Sequence, residues 1–281
     1  MKFANALSLL ALFLLPPAAP GRESVVVGAF EYPPIYQDSP DPGLACEIVL
    51  AAFDAAGMDA RLEFLPVLRM IQTLAKGNLP CAIGGEVLFR EDHVRPAVSL
   101  SAPFMFVLQT FIFDSARFPD GIPYSSLADL RHLRIGVLNG SGVMRYLSEP
   151  AVLSLDKNVS HEGSAKQLLS GRIDLWGIVD LTGFLFLRNL FPDDASRFSA
   201  AKPFNRGDIS LAVSNLADPD ARLLRAFETG LAAIKANGKY LEIMAKYYGS
   251  PSKINPEALS DDIKALFPAP NPSAQSPGKS P

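Results

Sequence analysis

Short β-branched runs alternate with longer segments of helical spacing along most of the chain. Ser24–Phe30 (SVVVGAF) reads as a buried strand, and Glu31–Tyr36 as an extended turn, because each proline pushes its predecessor away from helix. After a break at Asp38–Gly43, apolar positions at helical spacing predict a helix over Leu44–Ala56, closed by Gly57. A strand at Ala60–Leu65, a helix at Val67–Lys76 stopped by Gly77 and a strand at Pro80–Gly84 follow. Strand, helix, strand, helix, strand is the pattern of a parallel sheet with right-handed crossovers.

A long apolar strand at Met105–Phe113 precedes a second unit of the same kind. Its parts are a capped turn at Ser125–Leu130, a strand at Leu133–Leu138, a helix opened by Asn139–Gly142 and running through Leu147, and a strand near Asn158–Ser160. A helix over Ser164–Leu169, a strand over Ile173–Val179 and a helix over Thr182–Asn189 complete it. No further strand is expected in this unit after Asn189, and the chain is expected to return to the first unit at Pro203–Asp208. Beyond the return come a strand at Ile209–Val213, a helix capped by Asp218-Pro219 and running through Ala236, and a helix at Tyr240–Tyr248. Two α/β units joined by two crossings imply a hinge and a cleft.

The ends read differently. Lys2, the apolar run Ala6–Leu15 and the small residues Ala18-Ala19-Pro20-Gly21 make residues 1–21 an expected secretory signal, too short to span a membrane comfortably. An exported, periplasmic protein is therefore expected, with a proline- and serine-rich disordered tail over 268–281. A net charge of −3 gives no electrostatic footprint for nucleic acid. Export permits disulfides, yet Cys46 falls at the carboxyl edge of the predicted sheet and Cys81 at its amino edge, on the order of 10 to 15 Å apart, so two free thiols are expected.

Candidate chemistry concentrates in Cys81–Phe104. The pair Gly84-Gly85 at a strand end lets backbone approach a ligand closely, and Arg90 or Arg95 offers a planar fork matched to a carboxylate. The alternative is a solvated surface loop. Glu86, like Glu31, favours a cationic ligand where it faces the cleft. His93, His132 and His161 lack metal-ligand spacing, Asn139-Gly140-Ser141-Gly142 does not fit a dinucleotide loop, and Trp176 reads as core. No metal or cofactor is expected.

In order, Tyr32-Pro33-Pro34-Ile35, Gly43–Ile48, Gly77–Gly85, Ser126–Leu130 before Ile135-Gly136-Val137, Gly171-Arg172-Ile173-Asp174 before Val179-Asp180, and Asn237–Tyr240 resemble the motifs of type II periplasmic solute-binding proteins, specifically the family 3 group serving amino-acid ABC transporters. The resemblance implies a Venus-flytrap fold of class α/β: one lobe from 24–108 and 206–250, the other from 109–205, each a mostly parallel sheet flanked by helices. It further implies that Tyr32 stacks on the ligand, Gly85 offers backbone, and Gly140, Ser141 and Gly142 give amide donors. Asp180 would pair with an α-ammonium, and Arg90 or Arg95, with Arg95 favoured, would take the carboxylate. Arg69 follows Pro66 at a helix start and would line the cleft, as in a divergent subgroup. Val67 and Val87 depart from the family's second aromatic wall and threonine hydroxyl, which leaves a plain α-amino acid less secure than the fold. The implied function is a monomeric, non-enzymatic receptor that binds a small-molecule ligand and presents it to an ABC transporter permease in the inner membrane. A periplasmic dehydratase-like enzyme, with Glu86 beside Arg90 as acid or base, and a ligand-sensing accessory protein are the alternatives.

Overall fold

The computed structural model describes residues 22–148 and 152–267; the expected signal and tail lie outside them. The first unit opens with β1 (Glu23–Ala29), α1 (Leu44–Ala55), β2 (Met58–Phe64), α2 (Val67–Ala75) and β3 (Cys81–Gly84). Two short 3-10 turns lead to β4 (Val98–Leu100) and then to β5 (Met105–Asp114). Next come β6 (Arg134–Leu138), α3 (Gly142–Ser148), β7 (Ser154–Asn158), α4 (His161–Leu169), β8 (Leu175–Val179), α5 (Asp180–Leu190) and β9 (Phe198–Ala200). The return is made by β10 (Asn205–Ser214), followed by α6 (Arg222–Ala236), α7 (Lys239–Tyr248) and α8 (Asp261–Lys264).

Strand pairing divides these elements into two matching sets. In one, β2, β1 and β3 run parallel and β10 closes the set antiparallel to β3; in the other, β7, β6 and β8 run parallel and β5 closes it antiparallel to β8. Each closing strand also takes a short partner, β4 on β10 and β9 on β5. The closing strands pair with each other over Met105–Gln109 and Asn205–Ile209, and this ladder joins the two lobes. The boundaries expected at 108/109 and 205/206 both fall within it.

Four differences from the sequence reading have simple causes. The second lobe does possess a strand after Asn189: β9, only three residues long, whose Phe198-Ser199-Ala200 carries no strand-length apolar run. The strand expected near Asn158–Ser160 ends at Asn158, because Ser160 is the cap of α4, its hydroxyl accepting the Gly163 amide, and Val159 is 94% exposed. Strand β10 begins four residues early, since Asn205–Asp208 are polar yet fully paired to β5. Finally, residues 251–267 form an ordered strap: Leu259 bridges to Met105, and Arg206 donates to the carbonyls of Glu257 (2.6 Å) and Leu259 (2.8 Å) while lying 3.2 Å over the Phe106 ring.

The core of the first lobe packs α1, α6 and α7 on one face of its sheet, with Leu44, Ile48, Phe53, Phe104, Phe227 and Tyr240 fully buried, and α2 on the other. Cys46 and Cys81 are both buried and free. In the second lobe Trp176 is fully buried, and His161 packs on it and on Phe186, with burial lowering the imidazole pKa. Asp174 accepts from Arg117 and Arg134; although burial pushes the other way, these hydrogen bonds bring its pKa down to about 2.

Helices α1 and α6 meet at Gly230, where an added Cβ would lie 1.8 Å from the Ala52 carbonyl oxygen. Backbone on both sides cannot give way cheaply. Gly230→Ala is expected to destabilise the fold by roughly 2 kcal/mol or more, read as a lower midpoint in urea unfolding; an unchanged midpoint would mean the helices separate freely.

Candidate functional site

Register fixes where the loops lie. Gly84, the last residue of β3, pairs with Ser210, and Val179, the last of β8, pairs with Gln109. The joining ladder lies between these points, so the carboxyl ends of both parallel sets face the hinge from opposite sides. Five residues of β10 separate Ser210 from Asn205, the partner of Gln109, which corresponds to roughly 17 Å of strand. Ligands collect at the carboxyl ends of such strands. Tyr32 follows β1, Gly85 and Glu86 follow β3, Gly140–Gly142 follow β6, Asp180 follows β8, and Arg69 lies in the first turn of α2 after β2.

Asp180 and Tyr32 lie where the lobes press together. The amino end of α5 is pressed against the first lobe: the Thr182 hydroxyl donates to the Pro33 carbonyl at 2.9 Å, and Leu181 joins the core cluster of Tyr36 and Leu44. Asp180 is thereby only 8% exposed. One of its oxygens accepts the Leu181 amide at 2.7 Å, and the other receives a long 3.5 Å approach from the Tyr248 hydroxyl. No Lys or Arg pairs with it among the described residues. Burial raises its pKa to about 7. Tyr32 is driven the same way, to about 12, first by burial, and the Asp180 charge adds to it. Burial and then the charge of Asp180 also push the Tyr248 phenol well up.

A second cluster is built on β10, around a hollow that neither Tyr32 nor Asp180 lines. Asp208, opposite Phe106, accepts the Glu86 backbone amide at 2.7 Å, and Gly85 permits this approach, since an added Cβ would sit 2.9 Å from the Asp208 carbonyl oxygen. Glu86, Arg95, Asp208 and Ser210 line part of a hollow of about 610 Å³ that also includes Ser99 and Ser101. Arg90 is drawn instead to the Glu86 carboxylate, Nε to Oε1 at 3.6 Å, with both side chains largely in solvent. The buried Tyr36 phenol is pushed well up, first by burial and then by the charges of Cys46, Asp208 and Tyr32.

The remaining candidates stand apart. Gly140 and Gly142 are exposed with nothing within 4 Å of an added Cβ, and the Ser141 hydroxyl accepts the Met144 amide at 3.0 Å, capping its own helix. Arg69 is exposed. No hydrogen bond or ion pair among the described residues ties any of them to Tyr32, Asp180 or Glu86. Val87 is 66% exposed, whereas Val67 packs on the core beneath α2. Four contributors escaped the sequence reading: Thr182, Tyr36, Tyr248 and Asp208. Asp208 had a signal, an acidic residue abutting the apolar run Ile209–Val213; Tyr248, at the end of a helix distant in sequence, had none. Among the described residues no group of His, Cys, Asp and Glu is arranged to hold a metal ion, and no helix is long and apolar enough to cross a membrane.

No protein-family model matches the sequence, and no curated protein matches it. Solved structures do. A polar amino acid ABC uptake transporter substrate-binding protein from Streptococcus thermophilus superposes with a TM-score of 0.65 at 16% identity, over 86% of this chain and 90% of that one. The L-cystine solute receptor of Neisseria gonorrhoeae, unliganded and open, gives 0.64 at 16% identity over 84% and 96%. A histidine kinase sensor domain with similarity to periplasmic binding proteins gives 0.57 at 21% identity over 81% and 97%. The chain thus has the two-lobe α/β fold of the type II periplasmic binding proteins.

The raised pKa of Asp180 ties it to stability. The folded state holds a proton that the unfolded chain releases near pH 4, so stability falls as pH rises from about 4 to about 7 and stays lost above. Asp180→Asn is expected to melt at a higher temperature than wild type at pH 8 and to match it near pH 4; parallel melting curves across that range would show the carboxyl to be solvated.

Proposed function

We propose that the protein is a periplasmic receptor that captures a small polar ligand carrying a basic nitrogen between its lobes, without turning it over. The observation that carries this reading is Asp180: a carboxylate buried at the junction of the lobes, beside Tyr32 and Tyr248, with no cation paired to it among the described residues. Leaving a charge unpaired in such a place costs several kcal/mol, and a ligand ammonium offsets that cost. Tyr32 supplies a ring next to it. The likeness to two substrate-binding receptors supports binding as the work and, with it, delivery to an inner-membrane ABC permease as the proposed destination. Exported residence rests on the sequence of residues 1–21. Arg95, of the two arginines weighed for a ligand carboxylate, is the better placed, since Arg90 faces Glu86. Gly140–Gly142 would join the site only when the lobes close.

A sensing role is the second reading, supported by the likeness to the kinase sensor domain. Both readings need the same ligand chemistry and differ in the membrane partner. The dehydratase-like alternative has less behind it: Glu86 faces Arg90 in solvent, and its backbone amide is committed to Asp208.

A thermal-shift screen of amino acids, polyamines and small carboxylates, followed by calorimetry, tests the proposal. Saturable binding without product is expected, and Asp180→Ala should weaken it at least tenfold; unchanged affinity removes Asp180 from the site. Because cation binding expels the proton of Asp180, affinity should rise from pH 6 to pH 8 and level off. A pH-independent affinity over that interval would place the ammonium elsewhere.

A further inference from the structure

We infer that the ligand is a small molecule with two basic nitrogen groups, one held at Asp180 and the second at Asp208. This deepens the cleft-binding reading and rests on it. A backbone amide at the carboxyl end of β3 is a donor suited to an anion. Here that donor, the Glu86 amide, is already satisfied by the carboxylate of Asp208 at 2.7 Å, and Gly85 removes the Cβ that would keep the two apart. The chain provides its own anion where an anionic ligand group would otherwise dock.

What remains open around Asp208 is rich in acceptors. Asp208 forms no ion pair among the described residues, so its charge is met only by a neutral amide. Ser210, 2% exposed and lining the same hollow, has a hydroxyl with no hydrogen bond to any described residue. The Ser99 hydroxyl gives its proton to Asn215 and keeps its lone pairs. An ammonium, with three donors and no acceptor, matches this set. Glu86 adds a second carboxylate, half-shared with Arg90.

Among the described residues Asp180 and Asp208 are anions without an ion partner, and Arg95, which lines the hollow with Asp208, is a cation without one. The complement is two cationic groups with room for one carboxylate, which is the chemistry of a diamine or a diamino acid. Asp180 follows Val179, the partner of Gln109, and so stands level with Leu108, two residues along β5 from Phe106; with β10 and β8 on opposite sides of β5, the Cα atoms of Asp208 and Asp180 lie about 12 Å apart. Two carboxylate side chains and a four- or five-carbon spacer bridge that distance.

Calorimetry at pH 8 on the full chain, with 1,4-diaminobutane, ornithine, lysine, glutamine and glutamate as probes, tests this. The three compounds with two basic groups should bind at least tenfold more tightly than glutamine, and Asp208→Asn should erase that lead. Glu86→Gln, altering a side chain that is partly in solvent, should reduce the lead severalfold and decides the matter if Asp208→Asn does not fold. A lead of lysine over diaminobutane would assign a carboxylate to Arg95; the reverse would leave Arg95 outside the complex, and both retain the two-nitrogen ligand. Glutamine or glutamate binding as tightly as lysine, or a lead that survives both substitutions, overturns the inference while the cleft reading stands. No heat and no thermal shift with any probe removes both.

Discussion

Five residue pairs, Met105–Gln109 against Asn205–Ile209, hold the architecture together. They form the ladder in which the strand closing one lobe pairs with the strand closing the other. Because each of these strands goes on to complete a sheet that is not its own neighbour in sequence, neither lobe is finished until both crossings have been made. The ladder also decides where the chemistry lies. Its antiparallel register turns the carboxyl ends of the two parallel sets toward one another, so that loops from unrelated parts of the chain look onto a common gap.

That gap is anionic in a specific way. Asp180 is buried against Tyr32 and Tyr248, and Asp208 holds the backbone of the glycine loop. Neither carboxylate has a basic side chain paired with it among the described residues. Two other buried carboxylates do have such partners, Asp114 with Arg197 and Asp174 with Arg117 and Arg134, whereas buried Asp218 accepts the Leu223 amide at the start of α6.

Sequence reasoning reached the fold through periodicity and punctuation. Gly57, Gly77 and Gly171 stop helices because their backbone takes up left-handed angles, and the β-branched runs of β1 and β8 have no helical alternative. It failed where pairing rather than composition makes the element, as in three-residue β9 and the polar start of β10. The candidate site was legible to the same degree. Tyr32 and Asp180 could be named from motif order. The partnership of Glu86 with Asp208 could not, because 122 residues separate them and only the fold sets that register. Sequence spacing favoured Arg95 over Arg90, and it could not show that Arg90 pairs with Glu86.

The strap that follows α7 reaches the joint between the lobes from outside. Arg206, on a strand that passes from one lobe to the other, is gripped by the carbonyls of Glu257 and Leu259 and rests on Phe106. None of these groups borders Asp180. Phe106 is also the register partner of Asp208, so a change in the strap would be felt both at the joint and at the position proposed to choose the ligand.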